Sequence, residues 1–198
     1  MNQAVNIVVL ALATCLFAIF YVQSLQPARL EERIGQAAYA RCTTYRTIAS
    51  ILEIVIFVSY VAFYILPSPI LGELPWARWI SILIALVIGL PALVIMFRGI
   101  RDSGQEGLSP SKKHKMFGGI YNRVRHPQTA SGVLLWFAIA IGSHSLFLVL
   151  YSFVWIPIYG VACYLEEADL VRRYGRAYEK YQKRVGMFLP KPRQTSRS

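Results

Sequence analysis

The chain has 198 residues, enough for one domain of ordinary size, and 56% of them are apolar against only 16% charged. That balance excludes a water-soluble globule and points to a membrane protein. The net charge of +11 invites a nucleic-acid reading, but Lys and Arg are segregated along the chain in the way a membrane topology requires, so no nucleic-acid partner is expected.

The first apolar run, Ala4 to Val22, carries no charge, and no Lys or Arg precedes Arg29. A cleaved signal peptide starts with a basic segment, so this run is expected to stay as a permanent first helix. Thr47 to Leu66 contains only Glu53, and Trp76 to Phe97 contains only Arg78. Each of the three is long enough to cross a hydrocarbon core of ~30 Å. Ala130 to Cys163 is too long for one span and is broken by Gly142-Ser-His-Ser145, which predicts two helices in a tight hairpin, the first of them short. Pro91 and Pro157 each remove a backbone donor and are expected to kink their helices. Glu53 lies inside the second span, where it either meets a helix partner or lines a substrate path.

Four Lys/Arg lie between the first two spans, seven between Arg98 and Arg125, none in the hairpin tip, and nine after Cys163. With five spans these segments fall on one side, which predicts an extracytoplasmic N-terminus, a cytoplasmic C-terminus and attraction to anionic membrane lipids. The expected fold is all-α: five transmembrane helices, the last two a hairpin, and a cytoplasmic C-terminal amphipathic helix. One domain over 1–198 is expected, with three helices in 1–97, a cofactor-binding and catalytic part in 98–190 and a basic tail in 191–198. Cys15, Cys42 and Cys163 have no paired or metal-ligand spacing and read as small hydrophobes. The pattern gives no indication of oligomeric state.

The stretch from Glu166 to Val185 organises the chain. As one helix at ~100° per residue, it places Leu170, Tyr174, Ala177, Tyr178, Tyr181 and Val185 on one stripe, with Asp169, Arg172, Arg176, Glu179, Lys180 and Lys183 opposite. Glu166, Glu167 and Arg173 do not join the polar face. Charges held toward an apolar surface need a partner or a ligand, so they form either a site or a structural ion pair between Glu166 and Arg173. Upstream, the glycine-rich segment from Arg98 to Arg125 is irregular and ends at His126-Pro127. There Pro127 suits a first helical turn and His126 is biased to an extended conformation.

Gly119-x-Tyr121, Arg125-His126-Pro127, Glu166-Glu167-x-x-Leu170, Tyr174-Gly175-x-x-Tyr178-x-x-Tyr181 and Val185 through Pro190 together resemble the C-terminal signature of the isoprenylcysteine carboxyl methyltransferase family and its phospholipid methyltransferase relatives. The resemblance covers about residues 112–190. It implies an integral membrane enzyme that uses S-adenosylmethionine to methylate the carboxylate of a C-terminal prenylated cysteine or a similar lipophilic acceptor. It also implies that Tyr121, His126, Pro127, Gln128, Thr129 and Glu166 line the cofactor pocket, and that Lys113, His114, Lys115 and Met116 close over it. Thr129 stands where the family usually has tyrosine, a glycine is displaced to Gly132, and Gly186 replaces a proline.

The residue chemistry agrees with that resemblance. A sulfonium cation with amino-acid and adenosine ends suits an acidic residue, hydrogen-bonding groups and aromatic walls. A carboxylate acceptor is already ionised at neutral pH, so positioning and exclusion of water provide the acceleration. Arg173 is expected to clamp that carboxylate and Glu167 to orient Arg173 or the cofactor edge. Three alternatives stay open: a phosphatidylethanolamine-type N-methyltransferase with Glu167 as base, a membrane reductase using a nicotinamide cofactor, and a non-enzymatic membrane scaffold.

Overall fold

The computed structural model describes residues 3–65, 71–104, 109–110 and 118–191. Eight α-helices follow in order among these residues: α1 (Gln3–Ser24), α2 (Pro27–Ile34), α3 (Ala37–Ile65), α4 (Arg78–Ser103), α5 (Pro127–Gly142), α6 (Leu146–Tyr151), α7 (Trp155–Tyr174) and α8 (Arg176–Arg184). Short 3-10 turns occupy Gly119–Asn122 and Ser152–Val154. The described residues contain no β-strand, only two isolated bridges.

Four stretches are long and apolar enough to cross a membrane: α1, α3, α4 and the run Leu146–Tyr174. The fifth expected span, α5, has 16 residues, or about 24 Å at the standard helical rise, and falls short of the hydrocarbon thickness. The hairpin break lies where the sequence places it, with α5 ending at Gly142 and α6 starting at Leu146. The outer faces are apolar. Ile51, Ile54, Phe57 and Val58 of α3 and Trp79, Leu83, Val87, Leu90 and Phe97 of α4 are exposed, an apolar surface too large for water and suited to lipid.

α1 packs along α3, α4 packs along α5, and α7 touches both pairs. Close approach in the second pair depends on small residues: a Cβ at Gly142 would come within 3.2 Å of the Ala85 Cβ, and one at Gly89 within 3.4 Å of the Ala138 Cβ. The core between the pairs is aromatic. Trp136 and Trp155 stack at 4.7 Å, and the Tyr60 hydroxyl accepts from the Trp155 indole at 3.1 Å and meets the Ser152 hydroxyl at 3.2 Å, so the polar tips of the buried rings have partners. Pro91 lies inside α4, while Pro157 sits in the first turn of α7, where its missing N–H costs little, and the chain ahead of it tightens into a 3-10 turn.

The structure corrects the reading of Glu166 to Val185 as one helix. α7, whose first turns lie in the membrane part, runs on to Tyr174. Gly175, at φ 54°, then turns the chain so that α8 starts on a new axis. The single angular count therefore fails across residue 175. Leu170, Tyr178, Tyr181 and Val185 are buried together as expected, but Ala177 is exposed. Asp169, expected on the polar face, is 2% exposed: its Oδ1 accepts from the backbone N–H groups of Ala28 and Arg29 at 3.0 and 3.1 Å. It supplies from α7 the N-terminal cap that α2, opened by Pro27, lacks in its own sequence.

Candidate functional site

The site forms where α7 and α8 meet the segment that leads into α5. Residues 124–126 run alongside 186–187 as a short parallel bridge: the Arg125 N–H donates to the Gly186 carbonyl at 2.9 Å and the His126 N–H to the Met187 carbonyl at 3.0 Å. Opposite, the 3-10 turn is seated on the end of α4. The Ile120 N–H donates to Asp102 Oδ2 at 2.8 Å, and a Cβ at Gly119, whose φ is 60°, would overlap that carboxylate. Tyr121 is fixed by Gln128, which donates to its hydroxyl at 2.9 Å and to Ser103 at 3.0 Å, and its carbonyl accepts from the Tyr181 hydroxyl at 2.6 Å.

These supports present a charged cluster. Arg125 Nε donates to Glu167 Oε1 at 2.6 Å, and its Nη1 donates to the carbonyls of Gln182 and Val185 at 2.8 and 2.7 Å, satisfying acceptors left open at the end of α8. His126, 5% exposed, donates from Nε2 to Glu167 Oε1 at 2.9 Å, while its Nδ1 lies 3.5 Å from Glu166 Oε2. Burial pulls the imidazole pKa down, but hydrogen bonds with Cys163 and both glutamates outweigh it and push the pKa up to about 11, so His126 is a cation at neutral pH. Burial pushes the Tyr181 phenol up to about 12, so it stays a neutral donor.

A cavity of about 310 Å³ opens beside this cluster, within the range of small-molecule sites. Of the expected cofactor residues, Tyr121, His126, Pro127, Gln128, Thr129 and Glu166 line it, as does Arg173. Lys113, His114, Lys115 and Met116 fall outside the described residues. Glu167 does not line the cavity: its partners are Arg125, His126 and Gln182, so it holds the cation pair. Arg173 is half-buried, with its guanidinium 5.4 Å from the centre of the Tyr174 ring. Thr129 accepts a hydrogen bond from the Cys163 thiol at 3.5 Å.

Arg46, Ser50 and Asp169 are among the lining residues that were not singled out from the sequence as part of the site. Arg46 and Ser50 of α3 join Glu53 on one face, a spacing of four, three and seven that marks a helical stripe. Asp169 reaches the same cavity from α7. Glu53, which the sequence leaves between a helix partner and a ligand path, does both: it lines the cavity and accepts from the Tyr159 hydroxyl at 3.4 Å.

A family profile described as phospholipid methyltransferase matches residues 79–177. Methanethiol S-methyltransferase 2 of Bradyrhizobium diazoefficiens is 28% identical over 210 aligned positions, covering 96% of this chain and 75% of that protein. No solved structure matches. The family profile extends from the start of α4 to the first residues of α8, so it includes both halves of the charged cluster.

Proposed function

The chain belongs to the phospholipid methyltransferase family, and from that premise we propose that this integral membrane methyltransferase draws its methyl group from S-adenosylmethionine and delivers it to a small lipophilic thiol. The observation that carries the donor assignment is the convergence of Glu166, the cationic His126 and aromatic side chains on one cavity. A sulfonium donor brings a positive centre, an amino-acid end and an adenosine end. Glu166 offers a carboxylate to its positive groups, Gln128 and Thr129 offer hydrogen bonds, and Tyr21, Tyr159 and Tyr178 offer flat apolar walls. When bound, it supplies an activated methyl group. The protein's part is to hold the acceptor in line and keep water out.

The thiol acceptor is supported by the methanethiol S-methyltransferase relative, which aligns over nearly the whole chain. A second reading has its own observation: Arg46 and Arg173 both line the cavity, and guanidinium groups suit the carboxylate of a prenylated cysteine. In that reading Arg173→Met and Arg173→Lys lower turnover by ~10²-fold while cofactor binding is largely kept. The test offers radiolabelled S-adenosylmethionine with butanethiol, a farnesylated cysteine analogue or phosphatidylethanolamine to the purified protein. A volatile thioether supports the thiol. A base-labile methyl ester supports the carboxylate. Label fixed in phospholipid would move the acceptor to an amine, and no transfer to any acceptor would contradict the enzyme reading.

A further inference from the structure

We propose that Glu53 is the proton acceptor for a thiol substrate in the cavity, which makes the enzyme selective for thiols over carboxylate and ammonium acceptors. The proposal rests on the methyltransferase reading above. Three acidic residues line the cavity. Glu166 faces the cationic His126, and Asp169 caps α2 with Oδ1. Glu53 differs from both, because its hydrogen-bond partner is a neutral hydroxyl, that of Tyr159. Tyr159 is itself steadied by the Trp136 indole, which donates to its oxygen at 3.4 Å, and by edge-to-face contacts with Phe17 and Tyr21 at 6.3 and 6.0 Å. A carboxylate carried on a membrane helix, aimed into a cavity and held in place by a fixed hydroxyl, marks a functional position more often than a structural one.

Its surroundings select the acceptor. The titratable groups that face Glu53 are Tyr21 from α1 and Tyr159 from α7, and Arg46, two turns back on its own helix, lines the same cavity. From α4 the wall is Met96 and Ile100. A carboxylate acceptor would meet repulsion from Glu53 and would need no base. An ammonium acceptor would bring a positive charge into a cavity that Arg46 and Arg173 already line and that must also take the positive donor. A thiol fits: a cysteine-like thiol, with a pKa of about 8.5, is mostly protonated at neutral pH, and its thiolate is the nucleophile. In the step, the S–H proton passes to a Glu53 carboxylate oxygen as the acceptor sulfur forms a bond to the methyl carbon. The carbon–sulfonium bond breaks with its electron pair returning to the donor sulfur, leaving two neutral thioethers, and Glu53 later releases the proton to water.

The test compares wild type, Glu53→Gln and Glu53→Asp in detergent, with S-adenosylhomocysteine affinity as the check on the underlying reading. Wild type should methylate butanethiol with little pH dependence between pH 6 and 9. Glu53→Gln should be slower at pH 7 by ~10²-fold or more and regain about tenfold per pH unit as solution thiolate rises. Glu53→Asp should retain the flat profile at a reduced rate, and serves alone if the glutamine variant does not fold. Without any methyl donor, butanethiol should bind Glu53→Gln several-fold more weakly than wild type, whereas methyl butyl thioether, which has no S–H, should bind both alike. A glutamine variant with wild-type rate and pH profile overturns the proposal. So does a wild type that binds S-adenosylhomocysteine but methylates the farnesylated carboxylate or an amine in preference to butanethiol, and that outcome leaves the methyltransferase reading intact. Failure to bind S-adenosylhomocysteine sinks both.

Discussion

Arg125 and Glu167, separated by 41 intervening residues, are joined at 2.6 Å with both side chains largely buried, and this pair ties the segment before α5 to α7 and to the end of α8. Removing one partner of a buried pair leaves the other charge uncompensated. Arg125→Ala is therefore expected to destabilise the protein by about 3–5 kcal/mol. Arg125→Lys should recover part of this, because an ammonium keeps the charge but not the fork that reaches Glu167 and two carbonyls together. Thermal unfolding in detergent checks both, and an alanine variant as stable as wild type would show that the pair is dispensable.

The raised pKa of His126 has a definite signature in pH. Its folded value of about 11 lies above the ordinary value of 6.5, so its contribution is complete below about pH 6.5 and is lost as pH rises toward 11. The stability difference between wild type and His126→Gln should be constant at pH 5–6 and shrink steadily from pH 7 to pH 10. A difference that grows with pH would mean that the imidazole is held neutral.

Gly119 adopts a left-handed conformation against the Asp102 carboxylate. Gly119→Ala should cost at least 1–2 kcal/mol for the backbone conformation, with the overlap added. Because the turn also carries Tyr121, S-adenosylhomocysteine affinity should fall along with the melting temperature. Unchanged affinity would detach the turn from the pocket.

The placement of Lys and Arg predicts the sidedness of the termini. Reporters fused after Ser198 are expected to read cytoplasmic, and reporters before Met1 the opposite side. Termini found on one side would remove the five-span topology, in which α5 must cross despite its short length.

Much of this was legible in the sequence because membrane helices announce themselves by uninterrupted apolar runs, and because Gly142 to Ser145 interrupts the last one with polar residues. The inward position of Glu166 and Glu167 was also legible, since both lie on α7, within one continuous helix. What failed was the count past Gly175, where a positive φ resets the axis, and the polar assignment of Asp169, which is buried by a helix 140 residues earlier in the chain. Arg125 could not be identified as the partner of Glu167, because that contact depends on the pairing of 124–126 with 186–187 and no local periodicity encodes it. Arg46 was hidden by its position before the apolar part of its span; the stripe it forms with Ser50 and Glu53 gains meaning only when α1 and α7 close around it.

The most direct test of the central claim is the affinity of the purified protein for S-adenosylhomocysteine, measured by titration calorimetry on wild type, Glu166→Ala and His126→Ala. If both side chains serve the donor pocket, wild type binds and each variant loses about 1.5–3 kcal/mol of binding free energy, the worth of a hydrogen bond to a charged group. A wild type that does not bind, or two folded variants that bind as wild type does, would contradict the assignment of this cavity to the methyl donor.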